Sequence, residues 1–541
     1  MVQKLSLLFL CLLLQCSLYA QPSLVPAGNK HQLMVKGKPF LIMGGETANS
    51  RATTLQSMES VWPRMKQLNL NTLIVPVYWE LLEPEEGEFD FQLIDGLLAE
   101  ARRFDLKLVL MWFGSWKNSM SSHVPAWVKL DQQRFPRAVS EQGVSQEIVS
   151  PFYENNLKSD LNAYSKLMSH LKQVDTFHTV VLMQVENEIG MLPSARDYSP
   201  LANRRFGEQV PQDLIDYLEL HSETLNPEMK ELWVRHGSRK AGSWEEVFGE
   251  GLHADELFMA WYFARYTGQI AAAGKSIYNL PVYVNAALNR PGRLPGEYPS
   301  AGPLPHLLDV WKAGAPAIDF YAPDFYNPDF KHWNDLYVRQ GNPLFIPEHV
   351  FDASVAAKAL YAFGHYEALG FSPFSIEQNP EQALTPKELK LARVYALIAQ
   401  LKPLLDKYRG CNKIEAVLLD KNDNNAVFRL GDYEFTASHT YNLGWEPGVT
   451  AGGEWEQASA IVIQTAENEF YYAGFGVSLT FRHLAPEKGN VGILKAESGN
   501  FRDGRWEVYQ HLNGDQTHQG RHIRSFIDEM SLQRFVLYTY E

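Results

Sequence analysis

Two rhythms of apolar residues run along the chain. Short runs at 39–45, 71–79, 106–114, 179–188, 280–288, 317–326, 342–349 and 370–377 are apolar almost throughout, as strands buried on both faces are. Between them apolar residues return every three to four positions. Leu93, Ile94, Leu97, Leu98 and Ala101 share one helical stripe, and Leu157, Leu161, Tyr164, Met168 and Leu171 another. Strands alternating with amphipathic helices predict a parallel sheet with helical crossovers, and eight such strands close a (β/α)8 barrel.

The stretch 191–275 is too long for one crossover and predicts a helical insertion over the barrel mouth. A last helix starts at Thr385, where Pro386 and Glu388 complete a capping box, and is expected to stop before Pro403. From about residue 409 the texture changes to short alternating strands between Gly, Asn and Asp turns, as in a β-sandwich. The expected organisation is therefore a signal peptide over 1–20, a catalytic barrel over 21–408 and a β-rich domain over 409–541.

The signal peptide rests on Lys4, the apolar run 5–14 and Ala20, behind which cleavage is expected. The run is too short to span a bilayer. Export to the periplasm or beyond follows, with a lipid anchor through Cys16 disfavoured by the bulky Gln15. Cys411 is then the one cysteine of the mature chain, which excludes an intramolecular disulfide.

In such a barrel the site lies at the carboxyl ends of the strands. The polar residues there include Glu46, Asn49 and Arg51; Tyr78, Trp79 and Glu83; Ser115, Trp116, Lys117 and Asn118; Glu186, Asn187 and Glu188; Asn285; Asp324 and Tyr326; Glu348 and His349; and Glu377. Carboxylates, amides and aromatics with scarcely any His or Cys suit a neutral polyhydroxylated ligand better than a metal, so no cofactor or metal is expected. A net charge of −14 argues against nucleic acid or an anionic membrane as partner. The 12% of aromatic residues supplies rings that can stack on sugars. Oligomeric state is not legible.

Two carboxyls flanking a sugar can cleave a glycosidic bond, one as proton donor and one as nucleophile or base. Strand alternation puts Glu186 and Glu188 on one side, one pleat apart in height. Glu188, nearer the mouth, is the better catalyst, and Glu186 a brace. The same tripeptide recurs at 467–469, but between β-rich segments, where a structural role is expected.

The motif QVENEIG at 184–190 resembles the acid/base signature of glycoside hydrolase family 35, the β-galactosidases. VPVYWELLEPEEGEFDF at 75–91, MGGETANSR at 43–51 and FGSWKNSMSSHVPAWV at 113–128 are similar to that family's other strand-end motifs. The resemblance implies Glu188 as acid/base and Glu348 as nucleophile in a retaining mechanism, with carboxyls about 5–5.5 Å apart. It implies Asn187 as a contact to the sugar hydroxyl beside the anomeric carbon, and Tyr326 as a support for Glu348. Asn49, Glu46, Trp116, Lys117 and Ser115 complete the expected substrate-binding set, with Trp116 as a stacking platform.

Two departures stand out: His349, Val350 and Phe351 follow Glu348 in place of an aromatic run with Gly-Trp, and Ser115 precedes Trp116 in place of a sugar-contacting glutamate. The β-rich tail and these departures resemble a divergent bacterial subgroup, some members of which remove galactose from xyloglucan side chains. The expected activity is a retaining exo-β-galactosidase on plant oligosaccharides. A β-glycosidase of arabinose or fucose, a carbohydrate-binding protein on a hydrolase scaffold and a metal-dependent hydrolase remain as alternatives.

Overall fold

A computed structural model describes residues 20–444, 455–502 and 504–541. The expected signal peptide, up to residue 19, lies outside them. Eight parallel strands close a barrel: β1 (Ile42–Glu46), β2 (Thr72–Tyr78), β3 (Lys107–Lys117), β4 (Val180–Asn187), β5 (Val282–Ala287), β6 (Phe320–Phe325), β7 (Phe345–His349) and β8 (Gly370–Pro373). Gly370 pairs with Ile42 to close the ring. Each strand coincides with one of the apolar runs, β1 ending one residue and β3 three residues beyond its run, because a barrel strand is covered by helices outside and by other strands' side chains inside.

The interior is an apolar cluster that includes Ile42, Ile74, Met111, Phe113, Tyr283, Phe320 and Phe345. Leu33 and Val35 join it from a three-stranded antiparallel sheet that precedes β1, so they plug the end opposite the strand carboxyl termini. Outside, α1 (Gln92–Arg103) buries Ile94, Leu97, Leu98 and Ala101, and α2 (Glu154–Val174) buries Tyr164, Leu167, Met168 and Leu171.

The segment between β4 and β5 divides in two. Four short helices (Pro200–Phe206, Gln212–Leu220, Pro227–Arg235, Trp244–Phe248) form an insertion, and α3 (Leu252–Ile277) is the crossover helix itself. Gly274 of α3 approaches Tyr164 of α2 so closely that a Cβ there would lie 2.4 Å from the ring.

α4 (Val355–Gly364) and α5 (Pro386–Tyr408) complete the barrel and carry the C-terminal module. The Thr385–Glu388 capping box is present, but α5 continues through Pro403. An internal proline costs about 3 kcal/mol. The last turn is retained because Leu401, Leu405 and Tyr408 are buried, and Tyr408 donates to Thr465 O in the module. The module is two antiparallel sheets, of six and four strands. Gly364 of α4 lies against Ala416 and Ile461 of its larger sheet, where a side chain would collide. Glu469, in the second Glu-Asn-Glu tripeptide, is ion-paired with Arg534, and Asn468 Oδ1 accepts from the Tyr433 hydroxyl.

Candidate active site

Polar side chains converge where the strands end. The first determinant is a break in β4. Glu186 has φ +60° and Glu188 φ +46°, so the regular alternation stops there. The β3–β4 register also shifts between Trp112 and Lys117. The two glutamates therefore diverge rather than sharing a side.

Glu186 turns toward the helices. Its Oε2 accepts from the Trp116 N–H at 2.8 Å, and its carboxyl lies beside that of Asp160 on α2, both close to Gly114. Asp160 in turn accepts from Trp112 Nε1 at 2.8 Å, Ser115 Oγ at 2.5 Å and Tyr266 OH at 3.1 Å. Burial raises both carboxyls above their ordinary range, Glu186 most, because the charge of Asp160 adds to it.

This network corrects two sequence expectations. Ser115 is wholly buried and spent on Asp160, and Trp116 is wholly buried, edge-on to Phe263 and Tyr266 with ring centroids 5.3 and 4.7 Å away. Neither faces the mouth. Trp116 is packing between β3 and α3, and the absence of a glutamate at position 115 reflects the Asp160 network rather than a sugar contact.

Glu188 turns inward. Its N–H is held by Asn285 Oδ1 at 2.9 Å, its carbonyl accepts from Ser119 Oγ at 2.7 Å, and its carboxyl is close enough to Asp324 for the two to influence each other. Asn285 also donates to Asp324 Oδ2, so one amide orients both acids. Asp324 stands beside Glu348 in the β6–β7 register. Glu348 accepts from the Tyr326 hydroxyl, and the carboxyl of Glu46 lies near enough to act on it. Tyr326 is 52% exposed, at the rim; Glu348 is 5% exposed and Glu188 8%, at the floor. Lys117 Nζ donates to Asn187 Oδ1 at 2.7 Å and lies over the Phe113 ring. Asn187 Nδ2 is buried and has no protein partner among the described residues. Asn49, half-buried, likewise has an unpaired buried Oδ1, while its carbonyl accepts from Tyr78 OH at 2.6 Å.

Four carboxyls, Glu46, Glu188, Asp324 and Glu348, thus share one low-dielectric floor with the single ammonium of Lys117 acting on each. Desolvation is the largest influence on all four and raises them all. Glu348 is pushed up to about 7, first by burial and then by the charge of Glu188, against the downward pull of the Tyr326 hydrogen bond, Lys117 and Glu46. Glu46 and Asp324 are raised furthest.

Other strand-end residues are committed elsewhere. Glu377 is ion-paired with Arg51 at 3.2 Å and accepts from the Ala48 N–H. Glu83 accepts from Trp79 Nε1 and the Gly87 N–H. His349 is buried against Phe325, and burial together with the charge of Lys358 lowers it to about 3, so it is neutral. Among the described residues no His, Cys, Asp and Glu group is arranged to hold a metal ion, and no helix is long and apolar enough to cross a membrane. A separate cavity of about 430 Å³ lies between the insertion and the loop after β5, lined by Met229, Leu232, Glu256, Tyr298, His306 and Trp333 among others. None of the four floor carboxyls lines it.

Residues 47–253 match the β-galactosidase model of glycoside hydrolase family 42, and residues 391–524 match a domain of unknown function, DUF5597. The matching model is therefore of family 42 and not of family 35. No curated protein sequence matches the chain.

Among solved structures, the β-galactosidase of Bacillus circulans sp. alkalophilus is similar at 14% identity and a TM-score of 0.45, over 67% of this chain and 56% of that one. That of Marinomonas ef1 gives 13% and 0.46, over 68% and 60%. The β-galactosidase of Halorubrum lacusprofundi gives 15% and 0.45, over 66% and 58%. The chain thus spans less than two thirds of the length of these structures. Over residues 47–253 the chain is similar to the β-galactosidases that this model describes.

Proposed function

We propose that the protein is a retaining exo-β-galactosidase acting on oligosaccharides, with Glu188 as acid/base and Glu348 as nucleophile. Terminal galactose on plant side chains such as those of xyloglucan is the substrate class we favour, and the apolar run after Lys4 favours export. One observation carries the reading: the ends of β4 and β7 each deliver a buried glutamate to one floor, and each is held by partners of its own.

The chemistry follows from those partners. Protonated Glu188 gives its proton to the departing glycosidic oxygen while Glu348 attacks the anomeric carbon. Water activated by Glu188 then releases the sugar from Glu348. The Tyr326 hydroxyl and Lys117 favour the anionic form of Glu348 against desolvation. The free Nδ2 of Asn187, held by Lys117 through its Oδ1, supports a contact to the sugar hydroxyl beside the anomeric carbon.

Hydrolysis of nitrophenyl α- and β-glycosides of galactose, arabinose, glucose and fucose tests the reading, with the configuration of the released sugar followed by proton NMR. Turnover of the β-galactoside with retention, lost in Glu188→Ala and Glu348→Ala, is the expected result. Activity confined to α-glycosides, or an inverted product, would refute it.

A further inference from the structure

Glu46 has no role in the two-carboxyl mechanism, yet it is 1% exposed and sits among the reacting groups. It ends β1, two strands from β7, so its side chain meets Glu348 across the mouth. The groups facing it are Glu348 of β7, Glu188 beyond β4, Lys117 of β3, Asp324 of β6, Tyr283 of β5 and Tyr326 beyond β6. Lys117 is the one cation in that set, and its Nζ is already bonded to Asn187.

The hydrogen-bond inventory is informative. Glu46 Oε1 and Glu348 Oε2 are buried and receive no bond from any N–H, amide or hydroxyl of the described residues. The two carboxyls nevertheless act on one another at close range in a floor closed to water, and two buried carboxyls so placed are stable together only if one of them carries a proton, which it can donate to the other. Glu348 already accepts from Tyr326, whereas Glu46 has no such donor. The proton therefore belongs on Glu46, where it leaves one anion between two donors instead of two anions in contact.

We propose that Glu46 is a neutral acid whose O–H is donated to Glu348, which makes it a positioning residue for the nucleophile rather than a sugar contact. Tyr326 then holds one side of the Glu348 carboxylate and Glu46 the other, fixing its rotation for attack. Burial and the charge of Glu348 oppose ionisation of Glu46, in keeping with this role.

The proposal rests on the glycosidase reading for its catalytic consequence, and two measurements separate the two. The first is the pH profile of kcat/KM for the wild type, Glu46→Gln and Glu46→Ala. A neutral donor at position 46 lowers the Glu348 pKa, so Glu46→Ala moves the acid limb up by about one pH unit, while Glu46→Gln, which keeps an N–H donor, leaves it in place. If Glu46 were ionised, both variants would relieve repulsion and move the limb down; that result, or no movement in Glu46→Ala, would overturn the proposal. The second needs no turnover: the infrared difference spectrum of wild type minus Glu46→Gln at pH 7 should contain a protonated carboxyl C=O band. A carboxylate band in its place refutes the proposal even if Glu46→Ala does not fold. Absence of glycosidase activity with the acid band present refutes the functional reading alone.

Discussion

Glu186 and Glu188 are separated by one residue, yet one faces Asp160 and the helices and the other faces Asp324 and Glu348. The apolar run before them and the QVENEIG motif made Glu188 legible. What alternation could not supply was the positive φ at Glu186, which a sequence does not announce for a glutamate. Asp160 was hidden for another reason. It occupies a buried position of α2 beside residues read as an apolar stripe, and its partners on β3 and α3 lie far along the chain. A lone Asp on such a face was the available signal. At this scale Tyr326 makes a clear forecast. Its hydroxyl lowers the Glu348 pKa, so Tyr326→Phe should raise the acid limb of kcat/KM by about one to two pH units, because a hydrogen bond to a charged group is worth about 1.5–3 kcal/mol. A pH–rate profile measured beside the wild type checks this, and an unmoved limb would show that Tyr326 does not hold the nucleophile.

Elements were legible where burial on both faces left no polar interruption, which is why each of the eight barrel strands coincides with an apolar run, only β1 and β3 continuing past its end. Ends were less so. Pro403 reads as a stop, but burial of Leu405 and Tyr408 carries α5 past it. The boundary between insertion and crossover at Leu252 was obscured because α3 is apolar over most of its surface, as a helix packed against α2 and the barrel must be. The junction of β3 with β4 and α2 is closely packed on three sides. A Cβ on Gly114 would lie 2.5 Å from Trp112 Nε1, 2.9 Å from Glu186 Oε1 and 3.0 Å from Asp160 Oδ1. Gly114→Ala should therefore destabilise the fold by about 1–3 kcal/mol. Because the added Cβ would displace Glu186, two residues before Glu188, it should also lower kcat more than KM. Thermal denaturation and steady-state kinetics on the same preparation check both effects.

For the whole molecule, the burial of several carboxyls at one floor has a thermodynamic consequence. Glu348 holds its proton up to about 7 in the folded state, against 4.5 when unfolded, and Glu46, Asp324 and Glu186 are raised as well. Between those values the folded state binds more protons than the unfolded one, so Glu348 contributes stability that is present below about pH 4.5 and is lost as pH rises through about 7, and the other raised carboxyls act in the same direction. For Glu348 alone the difference amounts to about 3 kcal/mol. Glu348→Gln, which removes both the titration and its repulsion of the neighbours, should flatten the decline of the melting temperature between pH 5 and 8. A variant that declines as steeply as the wild type would contradict the assignment of a raised Glu348. The cost of the floor is carried by the surrounding fold, which includes the plug at the other end of the barrel and the module docked on α4 and α5.

The pairing of Glu188 with Glu348 is the central claim, and trapping tests it most directly. A 2-deoxy-2-fluoro-β-galactosyl fluoride slows release of the covalent intermediate more than its formation, and peptide mass spectrometry then locates the label. The expected result is one galactosyl adduct on Glu348, formed by the wild type and absent from Glu348→Gln. An adduct on Glu46, Asp324 or Glu377, or turnover of β-galactosides by Glu348→Gln at the wild-type rate, would contradict it.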